Sequence, residues 1–254
     1  MPNFIKFLGT AGARVATAKQ LRASGGIWIS LDDTNIYLDP GPGALVNCFK
    51  STPPLDPVIL DGILLSHKHL DHSGDINIMI EAMTNATYHK KGIVIAPTEA
   101  LDYDPVILKY IRSFPEKIEN IKPKKKYKIK NLLISSPVPH KHHGMETYGF
   151  IIKGKKNSIG YISDTKFFPK IIGAYQNSDI LILNVMFSTP RPNIDHLNID
   201  GASEIIAKIK PKTAILTHFG KTMLTANPQK IAKEMTKKLK IKVIAANDGM
   251  KFSI

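Results

Sequence analysis

Gly62-Ile63-Leu64-Leu65-Ser66-His67-Lys68-His69-Leu70-Asp71-His72 is an apolar run that ends in three imidazoles and a carboxylate. In an extended or looping backbone, residues two apart point to the same side, so His67 and His69 can reach one ion. Asp71 and His72 lie past the bend and can face a second ion beside it. Imidazole with carboxylate suits zinc, manganese or iron. A solvated His-rich loop would look the same in isolation, but the rest of the chain supplies further groups of the same kind.

Those groups recur in Pro139-His140-Lys141-His142-His143-Gly144, in Asp195-His196-Leu197-Asn198 and in Thr217-His218-Phe219-Gly220, the last after Ala214-Ile215-Leu216. An isolated carboxylate ends another apolar run, Gly160-Tyr161-Ile162-Ser163-Asp164-Thr165. His and Asp at the ends of apolar runs are what an α/β scaffold gathers into one site from distant segments.

His-x-His-x-Asp-His, then a later His, an Asp after an apolar strand and a final His resembles the pattern of the metallo-β-lactamase superfamily. The resemblance covers nearly the whole chain. Phe4-Ile5-Lys6-Phe7-Leu8-Gly9-Thr10-Ala11-Gly12 is similar to the family's first strand and glycine turn, Asn35-Ile36-Tyr37-Leu38-Asp39-Pro40-Gly41 to the strand before the metal motif, and Asn247-Asp248-Gly249-Met250 to its ending. The fold this implies is α/β, a four-layer αββα sandwich formed by residues 1–254 as one domain. It implies two divalent metal ions, zinc first, with manganese or iron as alternatives. One ion takes His67, His69 and a third His. The other takes Asp71, His72 and His218, and Asp164 bridges both. Three candidates for the third His lie within four residues. His143 is chosen, because His143-Gly144-Met145-Glu146-Thr147-Tyr148-Gly149-Phe150 resembles a segment of ribonuclease Z and its relatives. His140 and His142 then fall behind the ligands or at the surface.

Two ions about 3.5–4 Å apart can hold a hydroxide between them and stabilise charge on a reacting phosphate. A zinc-bound water can ionise near pH 7. Asp71 and His196 are the candidate catalytic residues. His196-Leu197-Asn198-Ile199-Asp200-Gly201-Ala202 resembles the ribonuclease Z segment whose His gives the leaving alkoxide its proton. The competing reading of His196 is a residue that merely flanks a helix. Asp39 either orients a metal-bound imidazole from behind or is a turn residue before Pro40-Gly41.

The 254 residues allow a substantial core, and 43% hydrophobic with 22% charged residues is ordinary for a soluble globular protein. No apolar stretch reaches membrane-spanning length. The start of the chain does not read as a signal peptide, so a cytoplasmic location is expected. Cys48 is the only cysteine, which excludes an internal disulfide and a cysteine zinc cluster. The net charge of +14 attracts polyanions. Much of it lies in Lys122 to Lys130 and on a helix expected over Pro228 to Leu239, where lysines can simply form the solvated face.

Strands are expected at Ile27–Leu31 and Asn35–Leu38, around a turn at Asp32-Asp33-Thr34. Further strands are expected at Ile93–Ala96, Lys128–Ser135, Tyr148–Lys153, Ile159–Ser163 and Asp179–Asn184. Helical spacing runs from His72 to about Thr84, a helix is expected over Pro105 to Ser113, and Ala202, Ile205, Ile206 and Ile209 mark another. Arg14 to Arg22 reads as a loop near the site, with Arg14, Lys19 and Arg22 as phosphate contacts or plain surface. Arg191 could reach a substrate anion. The Lys-rich segment 98–130 reads as an insertion: a lid, a dimer contact or a nucleic-acid surface.

Common ribonuclease Z enzymes carry a long arm for transfer RNA between the third His and the bridging Asp. Here twenty residues, Gly144 to Ser163, fill that interval, which leaves no room for it. The branch implied is therefore that of armless phosphodiesterases. The substrate class is a phosphate diester (cyclic phosphate, nucleotide or RNA) or another small anion, and the protein could work as a homodimer. The alternatives are a metal-dependent thioester or lactone hydrolase, a non-catalytic nucleic-acid-binding module, and a redox-active diiron protein.

Overall fold

The computed structural model describes residues 2–254. The first sheet is built from β1 (Phe4–Gly9), β2 (Ser24–Leu31), β3 (Thr34–Leu38), β4 (Gly62–Leu64), β5 (Ile93–Ala96) and β6 (Lys117–Asn120), and the chain returns to it at the end with β14 (Lys251–Ser253). The second holds β7 (Lys126–Ile129), β8 (Leu132–Ser135), β9 (Phe150–Lys153), β10 (Ser158–Ile162), β11 (Ile180–Asn184), β12 (Thr213–Thr217) and β13 (Lys242–Ala245). Their orders are β14-β1-β2-β3-β4-β5-β6 and β13-β12-β11-β10-β9-β8-β7.

Ile5, Phe7, Ile29, Ile36, Ile134, Ile152 and Ile182 belong to the core that the two sheets share. Alternate strand residues point the other way and need a second cover. On the first sheet Trp28, Tyr37 and Ile63 pack with α2 (Ala44–Lys50) and α4 (Ile76–Met83). On the second, Leu181, Leu183 and Leu216 pack with α5 (Lys170–Ala174), α6 (Ile199–Ile209) and α8 (Pro228–Leu239). Each sheet thus lies between its helices and the other sheet, which is the expected four-layer αββα arrangement.

The turn between β2 and β3 forms as expected. Asp32 and Asp33 both have positive φ (48° and 57°), the conformation a two-residue hairpin turn requires. Four expectations are corrected. The helix read from His72 to Thr84 breaks at Gly74-Asp75 into α3 (Leu70–Ser73) and α4, because Asp75 is tied to Pro40 O and accepts from Leu45 N. The helix read over Pro105 to Ser113 is only a 3₁₀ turn at Lys109–Ser113. The strand read over Lys128 to Ser135 is a hairpin, reversed at Lys130 with φ 47°. Arg14 to Arg22 begins in a short helix, α1 (Ala13–Ala18). The segment 98–130 contributes β6, the edge of one sheet, and β7, the edge of the other, and so carries the chain across the sandwich. Among the described residues no helix is long and apolar enough to cross a membrane.

Candidate metal centre

The His and Asp residues meet where β3, β4, β10, β11 and β12 end. Buried parallel strands finish there, and the chain leaves the sheet in loops that can aim side chains together. His67 and His69 follow β4, Asp164 follows β10 and His218 follows β12. The third imidazole is His142. Its Nε2 lies 3.0 Å from His69 Nδ1, as does His67 Nε2. On the other side, His72 Nε2 lies 3.0 Å from His218 Nε2, and Asp71 Oδ2 is 3.3 Å from that same nitrogen. Asp164 faces both groups. Its Oδ2 is 3.4 Å from His72 Nε2, 3.8 Å from His142 Nε2 and 3.9 Å from His67 Nε2, while Oδ1 is 3.4 Å from His218 Nε2.

His143, expected as the third ligand from the sequence, is not the imidazole that lies beside His67 and His69; His142 is. His140 and His142 are two apart in extended chain and both point inward, whereas His143 has φ 48° and opens the turn with Gly144, so its ring is exposed. Its backbone N–H donates to Asp195 Oδ2 at 3.0 Å. His140 lies behind the cluster, buried, with Nε2 3.0 Å from the Tyr175 hydroxyl. Alternation along Pro139 to His142 was the signal in the sequence that separates these residues.

The outer nitrogens fix which ring atom faces inward. His142 Nδ1 lies 3.0 Å from Asp195 O, an acceptor only, so it carries the proton and Nε2 presents its lone pair. His72 Nδ1 donates to Asp39 Oδ2 at 2.9 Å. That carboxylate also accepts from Ser66 N (2.6 Å), Ser66 Oγ (2.7 Å) and the Tyr161 hydroxyl (2.7 Å). Of the two readings of Asp39, orientation of an imidazole is therefore the one realised. Asn184, Tyr161 and Asp195 received no role from the sequence. Asn184 Nδ2 donates to Asp164 Oδ1 at 2.8 Å. Its one trace in the sequence is that it ends an apolar run.

Unprotonated ring nitrogens 3.0 Å apart repel unless a cation lies between them. Tetrahedral zinc with bonds of 2.0–2.1 Å would separate its nitrogens by about 3.3 Å, so each donor set fits an ion with small adjustment. The protonation pattern agrees. Burial lowers His67 well below its ordinary range, lowers His69 to about 4 and lowers His142, which keeps lone pairs free. Burial would raise Asp164 and Asp71, but the imidazoles around them (His218, His196 and His72 for Asp164; His72 and His218 for Asp71) hold both carboxyls well down, as anions. Burial opposes charge on His72 as well, yet Asp164, Asp71 and Asp39 raise it far above its usual value, an excess of negative field that cations would satisfy. The buried His218 Nδ1 has no partner among the described residues. Gly12 packs directly on that ring, where any Cβ would collide, so the glycine turn after β1 exists to admit His218.

His196 stands at the mouth. Its Nδ1 is 3.6 Å from Asp164 Oδ2, too long for a hydrogen bond, and its ring packs on those of His142 and His143. Burial lowers it to about 4. Asp195 also accepts from Lys166 Nζ at 2.9 Å, tying the His196 loop to the segment after Asp164. Arg22 is committed elsewhere, donating to Thr10 Oγ1 and Ala246 O, while Arg14, Lys19 and Arg191 are exposed.

Comparison with known proteins agrees with this architecture. Residues 34–219 match the model of the beta-lactamase superfamily domain. The uncharacterized protein MJ1374 of Methanocaldococcus jannaschii is 31% identical over 257 residues, covering 98% of this chain and 94% of that protein. The metallo-beta-lactamase fold protein YhfI of Bacillus subtilis superposes with a TM-score of 0.80 at 20% identity, over 100% of both chains. The short form of human tRNase Z gives 0.75 at 16% identity, over 99% of both.

Proposed function

The chain belongs to the beta-lactamase superfamily, and we propose that within it the protein hydrolyses phosphate diesters with two divalent metal ions, zinc being suited to the imidazole-rich donor set. Family membership and the His/Asp cluster make it a metal-dependent hydrolase. The observation that carries the diester reading is two donor sets sharing Asp164, with one further imidazole, His196, at the mouth. In this reading His67, His69 and His142 would hold one ion, Asp71, His72 and His218 would hold the other, and Asp164, which faces both groups, would serve either. Two ions, when bound, act as Lewis acids on the attacking and leaving oxygens of an in-line displacement.

The remaining work falls to the chain's own residues. Asp39 and the Asp195 carbonyl hold His72 and His142 with the correct nitrogens inward. Ala13 N–H, donating to Asp71 Oδ2 at 2.9 Å, holds that oxygen toward His218 Nε2, and the other oxygen of the carboxylate is left to accept from the attacking water and orient it. His196 delivers a proton to the leaving oxygen. A substrate phosphate beside its ring opposes the effect of burial and favours the protonated form. The likeness to human tRNase Z is one of fold, and it supports the reading only by naming a chemistry that this fold accommodates.

The test is turnover of bis(p-nitrophenyl) phosphate by the purified protein with zinc or manganese and with a chelator. Metal-dependent turnover abolished by chelation is expected. No turnover with both positions loaded would refute the diester reading and turn attention to thioesters and lactones.

A further inference from the structure

Helices α5, α6 and α8 cover β10 to β13 on the outside and their cluster reaches Ile151 of β9, but among the described residues no helix lies over the outer face of β7 and β8 or over the Lys153 end of β9. Lysines occupy it. Lys128 is directly opposite Leu133, and Leu133 is directly opposite Lys153, so two ammonium groups flank an apolar residue in one row across three strands. Lys126 lies two residues along on the same face of the edge strand, opposite Ser135. Lys155 extends the patch past the end of β9. Lys128, Lys153 and Lys155, with Lys130, line an open groove of about 430 Å³ that has no carboxylate in its walls.

Of the neighbouring acids, Glu119 is engaged outside the groove, while Asp61 and Asp32 engage its Lys130 side chain and Lys155 backbone. Glu119 pairs with Lys117 and with Lys125 at 2.8 Å, Asp61 pairs with Lys130 at 3.6 Å, and Asp32 accepts from Lys155 N. Lys126, Lys128 and Lys153 make no ion pair among the described residues. From this arrangement we propose that the outer face of β7–β8–β9 binds a single strand of nucleic acid through its phosphates.

Two features select that partner. Alternate residues of a strand are about 6.6 Å apart, a spacing comparable to that of neighbouring phosphates on an extended nucleic-acid strand, so Lys126 and Lys128 match successive phosphates. Leu133, 36% exposed between Lys128 and Lys153, gives bases an apolar floor. Lys126, opposite Ser135, is the lysine nearest the site, whereas Lys128 and Lys153 lie level with Ser158 at the start of β10, the end away from Asp164. Lys124 N donates to Ser136 O at the end of β8, and from Ser136 the chain runs straight into the His140–His142 loop. The proposal adds to the phosphodiesterase reading a binding surface at the end of the strands away from the metal centre. It depends on that reading for cleavage and not for binding.

The test is fluorescence anisotropy of a labelled oligouridine with chelator present, across a series of salt concentrations. Four phosphate contacts at about 0.7 each predict a log–log salt slope of about −3 for the wild type. The triple variant Lys126→Ala/Lys128→Ala/Lys153→Ala should lose about two units of that slope and roughly tenfold or more in affinity. A charge-matched control on α8, Lys233→Ala/Lys237→Ala/Lys238→Ala, should keep the wild-type slope. Equal weakening in both triple variants would overturn the proposal, because net charge alone would then explain binding. Equally tight binding of duplex or of polyglutamate would also overturn it. Patch-dependent oligouridine binding without diester turnover would support this surface and sink the catalytic reading. Turnover on the small diester that survives in the patch variant while oligouridine binding is lost would support both.

Discussion

Replacing Asp39 by Asn tests the orientation of the metal centre at one atom. The Asp39 carboxylate accepts four hydrogen bonds, from Ser66 N, Ser66 Oγ, Tyr161 Oη and His72 Nδ1, and is buried. The two hydroxyls can rotate their hydrogens away, but Ser66 N–H and His72 Nδ1–H cannot. An asparagine has one acceptor oxygen and two N–H donors. If its oxygen serves Ser66 N, its NH2 meets His72 Nδ1, which must give up its proton to Nε2 and lose the inward lone pair. If the amide is flipped, the Ser66 N–H is left facing a donor. Either way about two charge-assisted hydrogen bonds go, at about 1.5–3 kcal/mol each, which predicts a loss of about 3–6 kcal/mol in metal-free unfolding by urea. Misdirected His72 should also weaken metal binding by about 10–100-fold, measured by competition with a chromophoric chelator. Stability within about 1 kcal/mol of wild type together with unchanged zinc affinity would refute the argument and return Asp39 to the role of a turn residue.

Substitution of His142 by Ala should reduce bound metal from two ions to one per chain by elemental analysis, while His143→Ala should leave it unchanged; the reverse result would restore the assignment of His143. His196→Ala should retain both ions and lose about 10²–10⁴-fold in turnover on diesters with poor leaving groups, with little loss on p-nitrophenyl esters; an equal loss on both would remove its proton-donor role. Burial lowers His140 to about 3, below the ordinary value it has in the unfolded chain, so the unfolded state takes up the proton first as pH falls. The stabilisation tied to neutral His140 is therefore complete above about pH 6.5 and drains toward pH 3, at up to about 1.4 kcal/mol per pH unit. Metal-free His140→Gln should show a correspondingly shallower decline in unfolding free energy between pH 6 and pH 4, and an identical slope would refute this.

The layered fold was legible because each apolar run, such as Ile63 to Leu65 or Ile159 to Ile162, is buried on both faces and ends in a polar ligand-type residue. Most of the centre was legible for the same reason, since His67, His69, Asp164 and His218 stand just past the end of a strand, with His72 following on α3. The third imidazole was not, because neighbouring histidines differ only in backbone conformation, and the left-handed turn at His143 is set by contacts with Asp195 from a distant loop. Asp39 and Asn184 act through hydrogen bonds across 33 and 20 residues, respectively, which spacing in sequence cannot express. The segment 98–130 looked like an insertion because its lysines mask two short edge strands, whose buried alternates are only Ile118, half-buried, and Tyr127 and Ile129.

The donor sets are divided between the sheets. His67, His69, Asp71 and His72 leave the first sheet, whereas His142, Asp164 and His218 leave the second. Each ion would therefore clasp one half of the sandwich to the other at the open end of the core. Ion affinity and the docking of the two halves become one equilibrium: at a free metal concentration a thousand times Kd, binding adds about 4 kcal/mol to the closure of the sandwich. The same centre that performs hydrolysis would act as a latch, and a chelated protein should first breathe at that seam.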